Sequence, residues 1–263
     1  MPIEHVRALV LAGQLDAPAA GDLVPRTYLD AIDPDPVPDL ASEEWRAHLA
    51  REVRRHRDGR SRLVDAVGGE HGHRRDQQLA RIGSAAWGAA LALTMEGRDH
   101  DARVWFHRAA TCYRRSLADA EPGSWGRCIG PVKALLLAGD LSGAARDARR
   151  TLDLGAAAAP STTARYAGVL ALLVLERDEE AALLAAPLAS ADGFPPATAH
   201  ALVALAQRDA AAYAAAVAVV LETFETRDRF LEDVPVADTV MTLQVLARAR
   251  ALDVALHSRR LPR

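Results

Sequence analysis

Three groups of residues in this chain of 263 have side chains capable of chemistry. The first combines imidazole with carboxylate. Glu70, His71 and His73 stand together, and His100-Asp101 follows His73 by 27 residues. Such side chains hold hydrolytic metals, so the spacing admits a metal site. The second is guanidinium. Arg46, Arg51, Arg54, Arg55, Arg57, Arg60, Arg62, Arg74 and Arg75 crowd one stretch and could neutralise a polyanion. The third is segment 122–131, where Trp125 and Arg127 stand among three glycines and two prolines. Trp and Arg are frequent energetic anchors of protein contacts, and loops present such anchors to partners.

Each group also has a plainer reading. Asp99-His100-Asp101 falls where a turn between two helices is expected, and capping explains the acid there. His71 and His73 lie in a Gly-rich stretch. Glu52, Asp58, Asp65, Glu70 and Asp76 interleave with the arginines, and Trp45, the one aromatic near them, belongs to an apolar stripe. A solvated helix face accounts for that pattern, and nucleic acid is not expected as a partner. Segment 122–131 also reads as a rigid connector whose Trp covers the core. The chain contains no Gly-rich phosphate loop, nucleophile elbow or spaced Cys/His zinc pattern. No catalytic residue, metal or cofactor is expected.

The elements that would position these residues are helical. Hydrophobic residues make up 50% of the chain but aromatics only 5%, so Ala, Leu and Val supply the core, and Ala favours close helix approach. Lys133 is the only lysine, a skew that with the Ala content suggests a GC-rich genome of bacterial or archaeal type. A net charge of −3 gives no general pull toward nucleic acid or anionic membrane. Cys112 and Cys128 make neither a disulfide framework nor a zinc site and fit a reduced cytoplasm. Leu11-Ala12-Gly13 is followed by Gln14 where a lipidated cysteine would be needed, and Glu4 and His5 replace a cationic leader. No signal peptide and no membrane span are expected.

Short helical elements are predicted over 3–12 and 25–32, with a Pro-rich linker at 33–38, all inside an N-terminal segment 1–70. Within it a helix runs from Ala41 to Arg57, N-capped by Ser42, with Trp45, Leu49 and Val53 on one face. Gly59 ends it, and a short turn of helix follows over 63–67. From 73 to 263 the pattern repeats. Apolar helices end at Gly97-Arg98-Asp99, Gly139-Asp140, Arg177-Asp178 and Arg208-Asp209, and each Asp is expected to cap the next helix. A small residue follows each turn: Ala102, Ala144, Ala181 and Ala212. The Asp-to-Asp steps of 41, 38 and 31 residues describe two helices per unit. The last helix, over 236–251, caps the array.

In the first unit Trp87, Gly97, Ala102, Phe106 and Ala109 stand at spacings that resemble the tetratricopeptide repeat. The resemblance covers 84–215, with the aromatic replaced by Ala148 and Ala185 in later units. It implies an all-α fold of antiparallel helix pairs stacked as a right-handed superhelix, with a concave face lined by the first helix of each pair. On that register the concave face receives Trp87, Lys133 and Tyr166, a cation between two aromatics able to hold a peptide carboxylate. The competing reading is that both aromatics fill gaps between Ala-rich helices.

The resemblance implies a non-catalytic protein that binds a protein or peptide. Two weaker likenesses give alternatives. Val254 to Pro262 after a helix is similar to the ending of some immunity proteins of bacterial polymorphic-toxin systems, which inhibit a toxin partner. The His73 and His100-Asp101 spacing resembles metal-dependent phosphohydrolases. A groove filled by the chain's own N-terminal 70 residues would move the binding surface elsewhere, with a homodimer interface as one location.

Overall fold

The computed structural model describes residues 40–65, 72–118, 120–230 and 233–263. All lie in the unit Val37–Arg263 that the chain forms after Pro36. The elements expected over 3–12 and 25–32 and the linker at 33–38 lie outside the described residues. The fold is all-α, with no strand among the described residues. The helices are α1 (Glu43–Asp65), α2 (Gly72–Met95), α3 (Asp99–Ala118), α4 (Gly126–Leu137), α5 (Leu141–Asp153), α6 (Thr162–Val174) and α7 (Asp178–Ala185). A 3-10 turn (Ala186–Ser190) precedes α8 (Pro196–Gln207), α9 (Ala210–Thr226) and α10 (Asp238–Arg248). None of these is long and apolar enough to cross a membrane.

Four antiparallel pairs, α2/α3, α4/α5, α6/α7 and α8/α9, pack each on the next. Their turns share one backbone device. Gly97, Gly139, Glu176 and Arg208 each adopt φ between 55° and 74°, two residues before the following helix starts. That left-handed residue reverses the chain, and glycine occupies it without steric cost in the first two turns only. The fourth residue of each second helix is then buried at the crossing: Ala102, Ala144, Ala181 and Tyr213. Ala212, expected at the last of these, is exposed, because α9 starts at Ala210 and turns Tyr213 inward.

The turn acids divide into two roles. Asp140 accepts from Gly143 N at 2.8 Å and Asp209 from Ala212 N at 2.9 Å, as capping requires. Asp99 and Asp178 are instead the first helical residues, and no side chain caps α7.

Two glycines expected as breakers lie inside helices. α1 continues through Gly59 to Asp65, where a Cβ would meet Ile82 of α2 at 2.7 Å. Gly59 therefore serves close helix approach, and Gln78 Nε2 donates to its carbonyl at 3.0 Å. α1 packs along α2 within the same unit, so the boundary drawn at 70–73 falls between two contacting helices. Likewise segment 122–131 is a loop only to Trp125; α4 begins at Gly126 and includes Pro131. A Cβ on Gly130 would lie 2.6 Å from the Tyr113 ring, which wedges between α2 and α4.

The array ends in α10, shorter than the 236–251 expected. It packs on α4, α8 and α9. α4 and α8 are both first helices of their pairs, so the C-terminal helix crosses the side on which a binding face was expected.

Candidate functional site

Lys133 sits near the middle of α4 and is 8% exposed. Its ammonium lies 5.3 Å from the centroid of the Trp87 ring, which α2 contributes. Trp87 is 3% exposed and meets Phe106 of α3 edge-on at 5.4 Å, the contact that joins the first pair. Tyr166 of α6 stands close enough to feel the Lys133 charge, and it packs on Phe194 at 5.3 Å. The structure thus brings Trp87, Lys133 and Tyr166 from three successive first helices into one cluster.

The carboxylate that Lys133 could take from a partner is already supplied by the chain. Lys133 Nζ donates to Asp238 Oδ2 at 2.6 Å, across 105 residues of sequence. Asp238 is the first residue of α10 and is 5% exposed. Asp238 follows Glu232 and Asp233 in sequence, a composition common on solvated surfaces. The burial of Val234, Val236 and Ala237 beside it draws Asp238 inside instead. Burial works against the Lys133 ammonium, but the Asp238 charge and hydrogen bond outweigh it and hold Lys133 above the usual lysine range. Burial likewise pushes the Tyr166 phenol up.

Two further polar ties fix the C-terminal helix. Arg250, just past α10, is 7% exposed; it donates to Leu173 O at 2.7 Å and pairs with Asp178, which also accepts from Arg208 at 3.1 Å. Tyr213 Oη donates to Gln244 Oε1 at 2.8 Å. Asp238, Arg250 and Gln244 were not singled out in the sequence. A lone lysine in the apolar α4 was the available signal, since an ammonium buried there demands an acid from elsewhere.

Trp125 and Arg127 lie apart from this cluster. Trp125 is half-buried at the start of α4. Arg127 pairs with the buried Asp76 of α2 and donates to Ser116 O at 3.2 Å, so it ties α4 to its two predecessors. Among the described residues no three His, Cys, Asp or Glu converge as metal ligands. Glu70 and His71 and the side chain of His73 lie outside what is described, and His100 is exposed on the first turn of α3.

On α1, His56 is fully buried, edge-on to Trp105 at 5.1 Å. Burial, with the charges of Arg60, Arg108 and Arg57, lowers its pKa to about 3. This neutral imidazole belongs to the α1–α3 packing, and its Nδ1 has no partner among the described residues.

No protein-family model, no curated protein and no solved structure matches this chain.

Proposed function

We propose that this is a non-catalytic, tetratricopeptide-like helical-repeat protein whose first-helix face takes an acidic amphipathic helix from a protein or peptide partner. The observation that carries the reading is Lys133, an ammonium beside Trp87 and Tyr166 whose counter-charge is the carboxylate at the start of a helix lying across α4 and α8. The chemistry of that contact defines a ligand: an acid in the first helical turn, followed by an apolar stripe at helical spacing. Aromatic faces add contact area, and a buried cation selects against ligands that leave it unpaired. Two free cysteines fit a reduced, cytoplasmic setting.

The test is selection of displayed peptides of helical length on the full chain. Enrichment of sequences with Asp or Glu in the first turn, lost when the chain carries Lys133→Met, supports the reading. Enrichment indifferent to the acid, or to Lys133, removes it.

A further inference from the structure

The C-terminal segment is tied both to itself and to the stack. The tail turns back on α10: Ala237 N donates to Arg260 O at 2.9 Å, Arg260 reaches Pro235 O, and Gln244 Nε2 donates to Val254 O. Arg248 pairs with Asp253 at 3.6 Å. Beside these internal bonds stand the polar ties to the stack described above, to Lys133, Asp178, Leu173 O and Tyr213, and the buried apolar side of α10. The stretch between α9 and α10 forms no α-helix in its described residues, 227–230 and 233–237. α10 and its tail thus follow the array through a stretch with no α-helix in those residues.

The fit of this unit to the face is also incomplete. Trp87 Nε1–H is buried beside Lys133 and has no acceptor among the described residues. A buried donor without an acceptor is costly. Asp238 satisfies the ammonium and leaves the indole donor unmet, so a ligand with one more acceptor would complement the site better.

We propose that residues 238–263 are a built-in surrogate ligand, a strap that covers the first-helix face and yields it to an acidic amphipathic helix from a partner. The inference rests on the binding reading above and adds its regulation. The exchange is like for like. Val240, Leu243, Leu246 and Ala247 leave an apolar seat that the incoming stripe refills, and Asp238 leaves Lys133 to the incoming acid. A ligand shifts such an equilibrium only by its preference for the open form.

The single lysine makes the strap directly readable, because amine acetylation within the chain reports Lys133 alone. Full-length protein is pulsed with N-hydroxysuccinimide acetate across a urea series, and Lys133 labelling is compared with amide exchange in α2–α6. The strap predicts labelling through a partial opening, with a weaker urea dependence than exchange of the stack. Asp238→Asn is expected to label at least about tenfold faster with unchanged helical circular dichroism. A synthetic peptide of the 236–256 sequence, added in excess, then slows that labelling. Labelling of the wild-type chain only through the same global transition as α2–α6 overturns the strap, whether or not Asp238→Asn folds, and leaves peptide selection to decide the binding reading. Partial opening that the peptide fails to protect overturns the binding reading and the surrogate-ligand role together.

Discussion

Lys133 and Asp238 illustrate how a buried ion pair specifies rather than stabilises. Each charge loses its hydration, so the pair contributes little net stability, whereas removing one partner strands the other. Lys133→Met is therefore expected to cost about 3–5 kcal/mol in urea unfolding. The double substitution Lys133→Met, Asp238→Leu should recover most of that loss. Equal midpoints for wild type and the single variant would show the pair to be loosely solvated. His56 gives a pH dependence of known sign. Its folded pKa of about 3 lies below the ordinary value of 6.5, so the unfolded chain binds the proton first. Stability is retained above that ordinary value and falls as pH drops from it toward the folded value. Between about pH 7 and pH 5 the loss from this residue amounts to about 2 kcal/mol, and His56→Phe should flatten the urea midpoint over that range. An unchanged slope would mean that His56 takes up its proton in the fold as readily as in the unfolded chain.

At the scale of the element, small residues decide how closely helices approach. Replacing a helical Gly by Ala normally gains about 1 kcal/mol from backbone entropy. At Gly130 the new Cβ would lie 2.6 Å from Tyr113, and overpacking of that kind costs about 1–3 kcal/mol, so the clash should win. Gly126→Ala, with nothing within 4 Å of the added Cβ, should be neutral or stabilising. Thermal unfolding of the two variants separates these outcomes, and a stabilised Gly130→Ala would contradict the wedge. The helix ends at 97, 139, 177 and 208 were legible because apolar periodicity stops there on Gly, Arg and Asp. Gly59 and Gly130 were misread as breakers for a physical reason. Whether a glycine turns the chain or admits a neighbour depends on Ile82 and Tyr113, which local sequence does not announce. Asp99 and Asp178 followed the capping pattern in type but stand one position into their helices.

At the scale of the whole array, the C-terminal helix lies against two of the first helices, α4 and α8, and against α9. That Trp87, Lys133 and Tyr166 stand on three successive first helices followed from repeat register; that Trp87 and Lys133 are buried did not. Their counter-charge did not follow either. Asp238 stands 105 residues from Lys133 in an acidic stretch whose composition reads as solvated, and only the burial of its flanking valines draws it inside. One ion pair, Lys133 with Asp238, joins α10 to α4, and the sole lysine allows it to be measured without interference. Chain labelled with 15N-lysine has one side-chain ammonium signal. A paired, buried ammonium exchanges protons slowly, so an Nζ resonance should be visible near neutral pH. It should titrate above the ordinary lysine range and be lost or shifted in Asp238→Asn. A signal broadened away by solvent exchange in the wild-type chain, and unchanged by that substitution, would contradict the pairing.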